Sequence, residues 1–117
     1  MSVAAPRTIT VPVVEGTILR ATVELPDEIQ ILEGKQPKGL SCFRILDPEK
    51  GDERLTWDSR SFDQIKAAKK LFVDLVKKGL KPFRVGTNGQ ATSEVMTEFD
   101  AHAEEVLFLP YKMVRGG

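Results

Sequence analysis

The stretch Ser61-Phe62-Asp63-Gln64-Ile65-Lys66-Ala67-Ala68-Lys69-Lys70-Leu71-Phe72-Val73-Asp74-Leu75-Val76-Lys77-Lys78-Gly79 organises the reading of everything around it. Ile65, Ala68, Leu71, Phe72, Leu75 and Val76 recur at three- and four-residue intervals, the spacing of a helix with one apolar face. Ser61 and Gln64 stand as a capping box, each able to satisfy a backbone donor of the other. Lys77 and Lys78 suit the negative end of the helix dipole, and Gly79 stops the helix. A helix over about residues 62 to 78 is therefore predicted.

Outward from it, extended segments dominate. On its N-terminal side, Ser41 to Asp47 and Glu53 to Trp57 read as a hairpin across Pro48-Glu49-Lys50-Gly51. Earlier still, Arg7 to Val14 and Thr17 to Leu25 are rich in β-branched residues and are separated by Glu15-Gly16, a second hairpin. Pro12 cannot donate to a ladder, so that first strand belongs at an edge or a bulge. Asp27 to Gly39 reads as a loop pinned by Ile29, Ile31 and Leu32.

On the C-terminal side, Pro82 to Gly86 restarts an extended segment and Asn88-Gly89 is a turn signal. Glu94 to Phe99 alternates Val95, Thr97 and Phe99 on one face, as a half-buried strand does. Glu105 to Pro110 is apolar without alternation, which predicts a strand covered on both sides. The expected fold is α+β: a mainly antiparallel sheet packed on one amphipathic helix, in the order β-hairpin, loop, ββαβββ. One domain over residues 1–117 is expected, comprising an N-terminal hairpin arm (1–25), a helix-centred core (41–110) and a C-terminal tail (111–117). On that division the core should fold without the arm.

Composition narrows function mainly by exclusion. Hydrophobic residues at 41% and charged residues at 29% describe a globular chain rather than a disordered one. Lys plus Arg equals Asp plus Glu at 17 each, so net charge gives no reason to expect a polyanionic partner. With a single cysteine, Cys42, no intramolecular disulfide can form, and the single histidine, His102, cannot complete a usual zinc set. The start MSVAAPRTIT has no signal-peptide pattern, and the apolar run Val106 to Pro110 is far too short to span a bilayer, so synthesis in the cytoplasm and no membrane partner are expected.

Candidate catalytic groups are few. His102 could serve as a general base with Asp100 or Glu104, but a solvated turn histidine is the simpler reading. Cys42 lies in an apolar strand, where a small buried side chain is expected rather than a nucleophile. The acidic pairs Asp58 with Asp63 and Glu104 with Glu105 are explained by capping or solvation. The chain contains no Walker loop, nucleophile elbow or zinc-protease helix. No enzyme, cofactor or metal is expected. Lys66, Lys70 and Lys77 share a helix face, but Asp63 and Asp74 lie on that stripe too, Asp74 placed to pair with Lys70 or Lys78, and no aromatic platform accompanies it, so nucleic acid is not expected either. Trp57, at the strand-to-helix junction, should fill a corner of the core.

Two resemblances bear on function. Gly51-Asp52-Glu53-Arg54-Leu55-Thr56-Trp57-Asp58, then AAKKLFVDLVKKG, PFRV, EFD and the final Gly-Gly together resemble small uncharacterised proteins of bacteriophage and prophage genomes. That resemblance implies a structural subunit of a virion or assembly. Its partners would be copies of itself or other assembly proteins, met through exposed strand edges and apolar arms. The contact residues would then be Val3, Ile9, Val11, Val13 and Ile18 in the N-terminal arm and Tyr111, Met113 and Val114 in the tail.

The ending Val114-Arg115-Gly116-Gly117 resembles that of ubiquitin, and Glu105-Val106-Leu107-Phe108-Leu109-Pro110 is similar to the segment before the glycines in molybdopterin-synthase sulfur carriers. This second resemblance implies a modifier or sulfur carrier whose partner is an activating enzyme and whose reacting group is the carboxylate after Gly116 and Gly117. Against it, two more residues lie between Pro110 and the glycines than in those carriers, and a further hairpin precedes the helix, where the β-grasp order places the helix directly after the first hairpin. The sequence therefore ranks the assembly subunit first and the modifier second.

Overall fold

The computed structural model describes residues 7–15, 17–33, 39–47, 51–85 and 91–110. The elements in chain order are β1 (Thr8–Glu15), β2 (Thr17–Glu24), β3 (Gln30–Ile31), β4 (Ser41–Ile45), β5 (Glu53–Trp57), α1 (Phe62–Lys77), β6 (Leu80–Val85), β7 (Ala91–Val95) and β8 (Glu105–Pro110). The α+β class and the predicted element order hold, with a short β3 added inside the expected loop.

The helix starts and stops where its residues dictate, with one change in the cap. The Ser61 hydroxyl accepts from the Gln64 backbone N–H at 3.3 Å. The Gln64 side chain does not return to Ser61: its Oε1 accepts from the Asp58 N–H at 2.8 Å, while the Ser61 N–H donates to the Asp58 carbonyl at 3.0 Å. The capping box is thus widened by one turn, tying the helix to the end of β5. Gly79 takes φ +100°, the left-handed conformation that closes a helix.

Two sheets form. β1 and β2 pair only with each other, and six strands run in the order β3-β5-β4-β8-β6-β7. All pairings are antiparallel except β4 with β8, where Phe43 meets Val106 and Ile45 meets Phe108. A parallel pair needs a long crossover. Here it consists of β5, α1, β6 and β7, and it leaves the last strand in the middle of the sheet.

Pro82 sits in β6 beside this central strand. Its carbonyl accepts from Met96 N–H, on the β7 side, so the donor it lacks faces the chain just past the end of β7 at Val95. The strand expected over Glu94 to Phe99 is displaced: β7 ends at Val95, and Phe99 instead turns its ring into the aromatic cluster of Phe43, Trp57 and Phe72.

Strand alternation assigns Phe43, Ile45, Leu55, Trp57, Val106 and Phe108 to one sheet face. This face receives Ala68, Leu71, Phe72 and Leu75 from the helix, together with Ile9, Val11, Val23 and Leu25 from the hairpin. The hairpin is therefore a wall of the core rather than an arm beside it. It is fastened at two further points. Arg20 forms a two-pronged ion pair with the buried carboxylate of Asp47, one prong at 2.9 Å, and the Arg7 guanidinium donates to the carbonyls of Pro26, at 2.7 Å, and Ile29.

Candidate functional site

β8 is the element through which the chain reaches its Gly-Gly sequence. Its residues alternate, contrary to the expected double covering: Val106, Phe108 and Pro110 are buried, whereas Glu105, Leu107 and Leu109 are half-buried. The apolar run reads as continuous in sequence because its second face also carries leucines. Those leucines join a face of the sheet distinct from the core.

Register places Cys42, Arg44, Arg54, Thr56, Lys81, Phe83, Val85 and Val95 on that second face with Glu105, Leu107 and Leu109. Phe83 and Val85 are buried, yet lie outside the main core cluster. The face is apolar along β6 and β8 and charged along β4 and β5. Cys42 lies on it between Thr56 and Glu105, 1% exposed. Burial, reinforced by the nearby Glu105 carboxylate and only partly offset by Arg54 and Arg44, raises its thiol pKa to about 11. The thiol is therefore protonated at neutral pH, the opposite of an activated nucleophile.

The other chemical candidates are also accounted for locally. His102 is exposed, and its backbone N–H donates to the Asp100 side chain at 2.9 Å, while the Asp100 carboxylate pairs with Arg84. Asp58 is held below the usual carboxylate range by hydrogen bonds from Arg60. Asp63 is exposed in the first turn of α1. Among the described residues no group of three His, Cys, Asp or Glu side chains could hold a metal. A surface hollow of about 660 Å³ lies between Arg84 and residues 95–101. Its walls are the loop that replaces the expected end of β7, a feature no sequence signal marked.

The residues expected to meet partners are dispersed. Ile9 (6% exposed) and Val11 (fully buried) are core side chains, and Val13 is half-buried. The core occupies Ile9 and Val11, so neither is available to another subunit. Ile18 lies in β2, opposite Val14. Val3, Tyr111, Met113, Val114, Gly116 and Gly117 lie outside the described residues. Trp57 fills the core corner as expected, its ring 5.7 Å from Phe43 and 5.4 Å from Phe99. No helix among the described residues is long and apolar enough to cross a membrane. Compared with protein-family models, curated proteins and solved structures, the chain matches none.

Proposed function

We propose that the chain is a ubiquitin-like modifier or sulfur carrier, activated at the carboxylate of Gly117. One observation carries this reading: the strand that leads into the Gly-Gly sequence is the central strand of the sheet and runs parallel to the first strand of a ββαβββ unit. With the short β3 set aside, the order β5-β4-β8-β6-β7 is the strand order of the β-grasp arrangement that ubiquitin-like modifiers and sulfur carriers share. The additional hairpin that stood against this reading is β1–β2, a separate sheet laid on the unit. The hairpin that directly precedes the helix is β4–β5, as that arrangement requires.

The chemistry follows from the carboxylate. A carboxylate is a poor electrophile, so its oxygen attacks the α-phosphorus of ATP, pyrophosphate leaves, and an acyl-adenylate remains. A thiolate of the activating enzyme, or a sulfur donor, then attacks the acyl carbon and releases AMP. Glycines at the reacting end let the backbone enter a narrow channel that side chains would block. β8, anchored on both sides, holds the chain in place as far as Pro110, seven residues before the end of the Gly-Gly sequence.

The test is incubation with a cognate adenylating enzyme and ATP. The expected products are an adenylate and a thioester or thiocarboxylate at Gly117, both abolished when residues are added after it. If a competent enzyme forms none of these, the reading is wrong. The assembly-subunit reading is ranked below it because two of its contact residues, Ile9 and Val11, are core side chains.

A further inference from the structure

The outward face of α1 carries a second surface, independent of the Gly-Gly sequence. Phe62, Lys66, Lys69, Val73 and Val76 follow one another at steps of four, three, four and three residues, a heptad stripe along one side of the helix. All five are exposed: Phe62 by 77%, Val73 by 39% and Val76 by 40%, with both lysines open to solvent. Lys70 and Lys77 border the stripe. The expected pairing of Asp74 with Lys70 or Lys78 does not form, and none of Lys66, Lys69, Lys70 and Lys77 makes an ion pair among the described residues.

We infer that this stripe docks an acidic amphipathic helix of a partner protein, with carboxylates opposite Lys66, Lys69 and Lys70 and apolar side chains against Phe62, Val73 and Val76. The spacing selects a helix, because a 4-3-4-3 series is what one helix offers to the knobs of another. Charge selects its sign. Lys66 and Lys69 in the middle of the stripe, with Lys70 and Lys77 along its border, favour carboxylates and oppose a second copy of the same face, which would set lysine against lysine. A lipid surface fits less well: the apolar members stand apart at the two ends, and the continuous apolar face of α1 is already buried through Ala67, Ala68, Leu71, Phe72 and Leu75. The stripe spans about 21 Å from Phe62 to Val76, enough for roughly two heptads of partner. This inference does not rest on the conjugation reading, and failure of the ATP assay leaves it intact.

The test titrates the isotope-labelled full chain with a synthetic three-heptad peptide bearing Leu at its outer positions and Glu at its middle ones. Saturable amide shifts centred on Phe62, Lys66, Lys69, Val73 and Val76 are expected. Affinity should fall at least tenfold in Lys66→Glu/Lys69→Glu and also in Phe62→Ala, all exposed positions that leave folding intact. Equal binding of a scrambled peptide of the same composition, shifts mapping elsewhere, or no saturation overturns the inference. So does co-sedimentation with phosphatidylserine vesicles that Lys66→Glu/Lys69→Glu abolishes while the peptide remains unbound, or self-association through this face.

Discussion

Phe43 of β4 stands beside Val106 of β8 in parallel register, and this pairing places the Phe43 ring at the hub of the aromatic core. Its centroid lies 5.3 Å from Phe108, 5.7 Å from Trp57, 6.1 Å from Phe99 and 6.4 Å from Phe72. The first strand of the ββαβββ unit, the last strand, the helix and the loop after β7 all meet there. Phe43→Ala should therefore cost about 3–5 kcal/mol, combining lost transfer energy with a cavity that four rings cannot all collapse into. Urea denaturation checks this; a loss below about 1 kcal/mol would show that Phe43 is not the hub.

The Arg20–Asp47 pair should prove structural. The Asp47 side chain is 4% exposed and the Arg20 side chain 27%, so removing the guanidinium leaves a charge away from water. Arg20→Met is expected to destabilise by about 2–3 kcal/mol, and Arg20→Met/Asp47→Leu by clearly less, since the double variant buries no charge. Equal losses in the two variants would indicate that the pair contributes little.

Deleting residues 1–25 should abolish cooperative unfolding, because it removes Ile9, Val11, Val23 and Leu25 from the shared core. The measurement is circular dichroism during thermal denaturation. A truncated chain with an intact sharp transition would restore the hairpin to the status of an appended arm.

Cys42 makes stability fall at high pH. The folded thiol releases its proton near 11 and an ordinary thiol near 9.0, so between those values the unfolded chain is ionised and the folded chain is not. Linkage then favours unfolding as pH rises through that window and contributes nothing below it. The stability difference between the native chain and Cys42→Ala should be flat up to about pH 8.5 and shift by roughly 2 kcal/mol by pH 11. Native Cys42 should also resist alkylation at pH 8 and react at the ordinary rate in denaturant. Rapid native alkylation would contradict both expectations.

Gly79→Ala should cost about 1 kcal/mol. A Cβ at this position would meet nothing within 4 Å, so the whole effect is the strain of holding φ +100° with a side chain. Thermal denaturation of the variant against Gly79→Asn, which tolerates that conformation better, separates backbone strain from lost packing.

Some of this molecule is legible residue by residue. The helix from Phe62, its Ser61 cap, its Gly79 stop, the buried Trp57 and Cys42, and the two hairpins follow from local spacing and turn chemistry. Those signals act within a few residues, which a linear reading resolves. The same reading misjudged Leu107 and Leu109, because a run of apolar residues does not say whether its second face meets a second layer. It also extended β7 through Phe99, since alternation alone cannot anticipate that the ring is drawn into a cluster built from three distant elements.

The candidate site was in view at its end and hidden at its root. Gly116 and Gly117 are plain in the sequence, but their bearing depends on which strand leads to them. Two hairpins precede the helix, and either could have opened the sheet in which β8 lies. By itself, then, the sequence determined the elements, their order and the helix whose apolar face needed a sheet. Only the tertiary structure decided that β4, not β1, pairs with β8. Strand partnership between remote segments is set by which buried faces fit together, and Phe43, Val106 and Phe108 close one core only in that arrangement.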